Sequence, residues 1–170
     1  MSASKQYIIP SLHKSFQLNG KSFNEQGSLE SYAHFLVRTG EPYEKEVGDF
    51  ILDWIDDEDT MIAQTSGSTG TPKKIEIQKQ HMINSAKATG TFFKVLEGST
   101  ALLCLSASYI AGKMMLVRAM SLGWKLDIVE PKVNPLDNLY KRYDFCAMVP
   151  LQLDNSINRL HLLKKLIVGG

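Results

Sequence analysis

The segment from Thr65 to Lys73 concentrates side chains that could bind a negatively charged ligand. It reads TSGSTGTPK, and seven of its first eight residues are serine, threonine or glycine. Glycines let a backbone turn its N–H groups toward an anion, hydroxyls add further donors, and a lysine adds positive charge. A flexible linker or a tight structural turn are the alternatives. Apolar strand-like runs adjoin both ends, and a turn needs neither four hydroxyls nor lysines, so we interpret the segment as an anion-binding loop.

Two common phosphate-binding patterns do not fit this loop. The P-loop of nucleotide hydrolases requires G-x-x-x-x-G-K-[ST] between a strand and a helix. Counted from Gly67, Pro72 stands where the second glycine belongs and Lys74 where the hydroxyl residue belongs. The flanking pattern here is also strand, loop, strand. The dinucleotide-binding G-x-G-x-x-G pattern fails on its spacing as well.

The elements that would position the loop alternate between helical and extended patterns. The apolar spacing in SLESYAHFLVRTG predicts a helix with Ser28 as its N-cap, and PYEKEVGDFILDWIDD predicts a second helix with Pro42 in its first turn. Further along, the predicted strands are TMIAQ, KKIEI, TALLCLS, WKLDIVEP, YDFCAMVP and KKLIVGG, and the predicted helices are HMINSAKATGTFFKVL, YIAGKMMLVRAMSLG and LQLDNSINRL.

This order predicts an α/β layered domain with a mostly parallel sheet flanked by helices, because continuous apolar strands separated by helices are typical of that class. The first two helices are expected to cover one face of the sheet. At 170 residues the chain fits a single domain. We divide it into an irregular lead-in, residues 1–27, and an α/β region, residues 28–170.

Composition and charge exclude several classes of partner. The chain is 44% hydrophobic and 22% charged with a net charge of +1, so nothing predicts binding to nucleic acid or to an anionic membrane. No apolar run reaches the roughly 18 residues of a membrane span, and the N-terminus does not resemble a signal peptide. Cys104 and Cys146 lie in apolar runs, which predicts free buried thiols in a cytoplasmic protein. The cysteines and histidines have no metal-ligand spacing.

The stretch TSGSTGTPKK closely resembles the phosphate-binding signature of the adenylate-forming (AMP-binding) superfamily, which includes acyl-CoA and aryl-CoA ligases. The resemblance implies the first part of the large domain of such an enzyme, with ATP, Mg²⁺ and CoA as cofactors. It also implies that one lysine, Lys73, is catalytic. By the same resemblance, the residues that would hold the β- and γ-phosphates of ATP are Thr65, Ser66, Gly67, Ser68, Thr69, Gly70 and Lys73.

A second block, ALLCLSASYIAGKMMLVRAMSLG, resembles the family's acyl-pocket segment, with o-succinylbenzoate–CoA ligases of menaquinone biosynthesis as the closest likeness. There an arginine seven residues after the small residue equivalent to Ala111 supports the free carboxylate of the substrate, and Arg118 occupies that position. Tyr109 stands where the family has a histidine that gates the pocket. Each also has a structural alternative: an arginine stem along the core with its head in water, and a core tyrosine. Lys113 stands where a neutral residue is common.

The function implied is ATP-dependent adenylation of a small carboxylic acid followed by CoA thioester formation. In the family, the adenine pocket, the magnesium-binding glutamate and the C-terminal catalytic lysine follow the segment equivalent to Gly170, so we expect this chain alone to be inactive. The alternative is a non-catalytic nucleotide-binding or anion-binding module, or an inactive fragment. We also expect the last strand, in KKLIVGG, to pair with a second copy of the chain and form a homodimer.

Overall fold

The computed structural model describes residues 12–65 and 73–169. The strands of this part are β1 (Gln17–Leu18), β2 (Lys21–Ser22), β3 (Thr60–Gln64), β4 (Lys74–Gln78), β5 (Thr100–Leu103), β6 (Lys125–Ile128), β7 (Phe145–Met148) and β8 (Leu166–Val168). The helices are α1 (Gln26–Thr39), α2 (Pro42–Ile55), α3 (Lys79–Phe93), α4 (Ile110–Leu122) and α5 (Pro150–Ser156), and a 3-10 helix follows α5 at Ile157–Leu162.

The described strands form two sheets. The larger has six strands in the order β2-β1-β6-β5-β7-β8, and β3 and β4 form a separate two-stranded hairpin. Every neighbouring pair of the larger sheet is parallel except β1 and β2. The predicted α/β class with a mostly parallel sheet is therefore confirmed.

Alternate side chains of the central strands enter two different cores. Ala101 and Leu103 of β5 belong to the larger core, which also holds buried residues of α1, α2, α3 and α4. Leu102 points the other way, into a smaller core with Cys146 and with residues from the segment before β7 and from the 3-10 region. Parallel strands buried on both faces read as continuous apolar runs, which is the pattern that the sequence shows. Helices α1 and α2 contribute to the core on one face of the sheet, where α4 contacts β5 and β6, and that they cover this face stays a prediction.

The start of α1 differs from the prediction. The helix begins at Gln26 with Glu25 as its N-cap, and the hydroxyl of Ser28 donates to the Glu25 carbonyl at 2.7 Å. Ser28 is thus inside the first turn and is not the N-cap. The second helix begins as predicted at Pro42, where the backbone N–H of Glu41 donates to the Glu44 carboxylate at 2.8 Å.

Residues 17–22 correct the interpretation of residues 1–27 as an irregular lead-in. They form a hairpin whose first strand, β1, pairs in parallel with β6 and so extends the sheet. The turn is Asn19-Gly20, with φ of 49° and 76°. Two successive positive φ angles are required by a type I′ turn, and Asn-Gly is its preferred sequence. The Asn-Gly pair was therefore the signal that could have revealed this hairpin.

Both cysteines are buried and free, as predicted. Their sulfur atoms are 3.7 Å apart, between the end of β5 and β7. In the described ranges, no helix has the length and apolar character needed to cross a membrane.

Candidate functional site

The hairpin of β3 and β4 brings the two ends of the predicted phosphate loop side by side. Gln64 pairs with Lys74 at the end of the ladder, and the N–H of Thr65 donates to the carbonyl of Lys73 at 3.1 Å. The strand, loop, strand order is thus confirmed, and the Lys73 side chain is exposed. The other loop residues that we predicted to bind phosphate lie outside the described residues: Ser66, Gly67, Ser68, Thr69 and Gly70.

The strand order places a topological switch point between β5 and β7. From β5 the chain passes through α4 to β6 on one side, whereas from β7 it passes through α5 to β8 on the other side. In open parallel sheets, ligands bind outside the carboxyl ends of the strands at such a point. The residues that follow β5 and β7 are therefore candidates for a ligand pocket.

A mostly apolar cavity of about 210 Å³ lies at this switch point. It is bounded by the segment after β5, by the first turns of α4, and by the ends of β7 and β8. Its lining residues are Leu105, Ile110, Ala111, Met114, Arg118, Ala147, Met148, Val149, Ile167 and Gly169. Pockets for small organic ligands are mostly apolar with a few placed polar groups, and this cavity has that character.

Arg118 is the one charged residue in that lining. Its Nε is buried and has no hydrogen-bond partner among the described residues. Burial lowers the pKa of the Arg118 guanidinium from its ordinary value. A buried donor without a partner costs free energy, and an anion that enters the cavity would satisfy it. Arg118 therefore offers a buried donor to an anion in the cavity, and its pairing with a substrate carboxylate stays a prediction.

Tyr109 links the cavity to the hairpin. It is half-buried, it is the N-cap of α4, and it forms a parallel bridge with Gln64 of β3. Its neighbour Ile110 lines the cavity, whereas Tyr109 itself is outside the lining set. The bridge places the stem of the phosphate loop within one residue of the cavity wall.

The segment Ser106–Tyr109, which we call the 106–109 loop, is held from two sides. The hydroxyl of Ser106 donates to the carboxylate of Glu46 on α2 at 2.6 Å and accepts from the N–H of Ser108 at 3.1 Å. On the other side Gly112 packs against the backbone: a Cβ at that position would be 2.1 Å from the Ser106 carbonyl oxygen. Only glycine fits there without displacement of the loop.

Lys113, on the same turn of α4, is buried with its ammonium 5.2 Å from the centre of the Phe50 ring. Burial lowers the pKa of Lys113, while the carboxylates of Asp53, Glu46 and Asp49 oppose that shift. Ser106 and Lys113 therefore both face acidic residues of α2.

Three larger depressions lie outside this cavity. One of about 500 Å³ is lined by Tyr43, Glu130, Glu46 and Ser106, one of about 390 Å³ adjoins the segment 129–139, and one of about 340 Å³ adjoins Asp56 and Thr60. No lining residue of these three has a buried side-chain nitrogen or oxygen without a partner, which is the feature that marks the cavity at Arg118. Within residues 12–65 and 73–169, no group of three His, Cys, Asp or Glu side chains could hold a metal ion.

The sequence did not reveal Glu46 or the lining residues from β7 and β8, such as Met148 and Ile167. These residues come together only when the strand order is known, and the sequence does not give that order. The one available signal was their position at the ends of apolar strands.

Comparison with known proteins identifies the fold. No protein-family model matches the chain, and no curated protein matches it. Among solved structures, an AMP-forming acyl-CoA synthetase/AMP-acid ligase II-like protein from Dyadobacter fermentans is 38% identical with a TM-score of 0.72. The match covers 83% of this chain and 42% of that protein.

Two structures of MenE, the o-succinylbenzoate coenzyme A synthetase, are more distant. A variant from E. coli with bound OSB-AMS is 25% identical with a TM-score of 0.53, and the match covers 64% of this chain and 24% of that one. The Bacillus subtilis enzyme in complex with ATP and a magnesium ion is 19% identical with a TM-score of 0.54, and the match again covers 64% of this chain and 24% of that one. The chain thus spans less than half the length of the proteins that it matches, and it corresponds to their N-terminal part.

Proposed function

Because the chain has the fold of the N-terminal part of the adenylate-forming enzymes, we propose that it supplies the ATP phosphate loop and part of the acyl pocket of an AMP-forming acid–CoA ligase. One observation carries this proposal. The bridge between Gln64 and Tyr109 joins the stem of the Ser/Thr/Gly loop to the wall of an apolar cavity that contains Arg118, whose buried Nε has no hydrogen-bond partner among the described residues. An acid in the cavity would lie beside phosphates on the loop.

The proposed reaction has two steps. A carboxylate oxygen of the acid attacks the α-phosphorus of ATP, and pyrophosphate leaves. The thiol of CoA then attacks the acyl carbonyl of the resulting anhydride, and AMP leaves. In the first step Lys73 and the loop N–H groups would stabilise the charge that develops on the departing pyrophosphate, because preorganised donors act where charge accumulates.

The size of the cavity supports its assignment to the acid. At about 210 Å³ it is smaller than the roughly 300–1,000 Å³ of pockets for drug-sized ligands. It can hold an aryl or acyl body but not a nucleotide as well. The nucleotide would therefore lie outside the cavity, along the hairpin that carries Thr65 and Lys73.

We further propose that the acid carries a second carboxylate, as o-succinylbenzoate does, and that the enzyme acts in menaquinone biosynthesis. The support is the buried Nε of Arg118, which has no partner among the described residues, together with the likeness to MenE. A buried guanidinium pairs well with a carboxylate because its planar fork matches the two oxygens. An acid with a single carboxylate would leave this arginine unpaired.

Magnesium and CoA would be held mainly by other parts of the enzyme. The described residues contain no group of three metal-binding side chains, so we assign no magnesium ligand to them. Magnesium, when bound with ATP, would neutralise charge on the phosphates.

The test is ATP–pyrophosphate exchange on the natural protein that carries this sequence, with o-succinylbenzoate and a simple aryl acid as substrates. We expect Lys73→Ala to lower exchange by about 2–4 kcal/mol of transition-state stabilisation. Lys74→Ala, which removes the next exposed lysine, is the matched control and should have little effect. Equal losses in the two variants would contradict the assignment of Lys73.

Arg118→Leu tests the substrate. We expect it to weaken use of o-succinylbenzoate and to spare the aryl acid, because only the dicarboxylic acid loses a partner. Since Arg118 Nε has no hydrogen-bond partner among the described residues, the leucine variant should be at least as stable as the original protein. An equal loss with both acids would instead indicate a structural role for Arg118.

A further inference from the structure

We propose that Glu46 is a positioning residue of the acyl site: through the hydroxyl of Ser106 it fixes the 106–109 loop, which joins the cavity to the stem of the phosphate loop. This inference rests on the proposed function for its catalytic consequence. Its structural basis, a bond between α2 and the loop, is independent of that function.

Glu46 on α2 is joined to Ser106 by a short hydrogen bond. Its distance is 2.6 Å, it joins residues 60 apart in sequence, and it is partly buried. A hydrogen bond to an ionised carboxylate is stronger than one between neutral groups, and burial reduces competition from water. Because the same hydroxyl accepts the N–H of Ser108, its rotation is fixed by two partners at once.

Backbone hydrogen bonds then join the 106–109 loop to the start of α4. The N–H of Tyr109 donates to the Ser106 carbonyl at 3.3 Å, and the N–H of Lys113 donates to the Tyr109 carbonyl at 3.0 Å. The Ser106 carbonyl also faces Gly112, where no Cβ could be placed. A shift of Ser106 therefore moves the start of α4.

The 106–109 loop is in turn joined to both predicted ligand sites, the phosphate loop and the cavity. Tyr109 is bridged to Gln64, the residue before Thr65 of the phosphate loop. Leu105 and Ile110, which flank the 106–109 loop, line the cavity. Glu46 itself is outside the cavity lining, so it acts on the acid only through Ser106. A displacement of about 1 Å at the reacting atoms can cost a hundredfold in rate, and the loop connects the groups that set this distance.

The neighbouring acid Asp49 provides a matched control. It is exposed on the same helix, one turn after Glu46, and its carboxylate also acts on the charge of Lys113. No hydrogen bond joins it to Ser106 in the described residues. Asp49→Asn therefore changes the charge near Lys113 and leaves the bond to the loop in place, whereas Glu46→Ala removes the bond.

The structural test is hydrogen exchange of backbone amides in segment 105–113 on the full chain. We expect Glu46→Ala to raise exchange at Ser108 and Tyr109 about tenfold, the loss of one charge-assisted bond. Ser106→Ala should raise exchange at Ser108 further, because the N–H of Ser108 also loses its acceptor. Amide exchange in the double variant should equal that in Ser106→Ala, because Glu46 acts on the loop only through its bond to Ser106. Glu46→Gln, which keeps an acceptor oxygen, should restore most of the protection.

The functional test measures kcat and KM separately for pyrophosphate exchange in the natural protein. We expect Glu46→Ala to lower kcat about tenfold with an unchanged KM for ATP, and Glu46→Gln and Asp49→Asn to remain near the original values. The inference would be overturned if amide protection were unchanged in Glu46→Ala. It would also be overturned if Asp49→Asn changed amide protection or kcat as much as Glu46→Ala does. Absence of exchange in the unaltered protein would overturn the proposed function, and the amide data would still decide whether Glu46 fixes the loop.

Discussion

Replacing Gly112 with alanine tests how closely the first turn of α4 packs on the 106–109 loop. The added Cβ would lie 2.1 Å from the Ser106 carbonyl oxygen, 2.6 Å from its carbonyl carbon and 3.0 Å from the Ala107 nitrogen. All three are backbone atoms, so no side-chain rotation relieves the contact. The loop and the helix must separate by more than 1 Å to restore ordinary contact, and the bond to Glu46 resists that movement.

The expected change in the free energy of unfolding of Gly112→Ala is the sum of two opposing effects. Overpacking against a fixed backbone costs on the order of 1–3 kcal/mol and at times more. Alanine gains about 1 kcal/mol over glycine in a helix. Since the contact at Gly112 is severe, we expect Gly112→Ala to lower the free energy of unfolding by about 2 kcal/mol.

Two other helical glycines provide controls. Gly27 lies in the first turn of α1 with nothing near its Cβ position, so Gly27→Ala should raise the free energy of unfolding by about 0.5–1 kcal/mol. Gly90 in α3 would meet only the flexible end of Leu122, at 2.8 Å, so Gly90→Ala should be near neutral.

The assay is equilibrium unfolding in urea, monitored by the fluorescence of the two tryptophans. The expected order of stability is Gly27→Ala, then Gly90→Ala, then Gly112→Ala. If Gly112→Ala proved as stable as Gly27→Ala, the loop would not lie against α4 and the proposed route from Glu46 to Tyr109 would be wrong.

Four further predictions concern the rest of the chain. Lys113→Met should raise the free energy of unfolding at pH 7 in thermal melts, because burial of the charge disfavours the folded state. Since the pKa of Lys113 is lower in the folded state, stability of the original protein should rise with pH up to about 10.5, and this rise should vanish in the variant. Asp144→Asn should cost about 1–2 kcal/mol in urea, since its carboxylate binds Lys164 and Thr100; because these bonds lower the pKa of Asp144, its contribution is present above pH 4 and is lost as the pH falls through the folded value. Both thiols are buried, and hydrogen bonding to Cys104 and then burial raise the pKa of Cys146, so a thiol reagent should modify neither buried cysteine until denaturant is added. Light scattering on dilute protein should show a dimer, because β8 is an edge strand of the described sheet with Val168 exposed; a mass that stays monomeric at all concentrations would refute pairing.

The order of elements after residue 28 could be predicted because each signal is local. Apolar spacing in α2, the glycine after α4 and the alternation in KKIEI depend on residues within a few positions of one another. The hairpin at residues 17–22 has strands of only two residues, too short for periodicity to detect. Its stability comes from pairing with β6, more than 100 residues later, which the local sequence cannot show.

The candidate site was predictable in its parts but not in its arrangement. Lys73 and Arg118 were predicted as site residues from the resemblance of their motifs to those of the family. Their link through Gln64 and Tyr109 depends on a bridge between separate elements. Glu46 lies in an amphipathic helix where an acid normally faces solvent, so no sequence signal distinguished it from Asp49.

We propose that the loop and the cavity together activate a carboxylic acid with ATP. The most direct measurement is incorporation of labelled pyrophosphate into ATP by the natural protein, across a panel of mono- and dicarboxylic aryl acids. We predict exchange that requires an acid and is fastest with a dicarboxylic one. Release of phosphate from ATP without any acid, or no exchange with any acid of the panel, would contradict it.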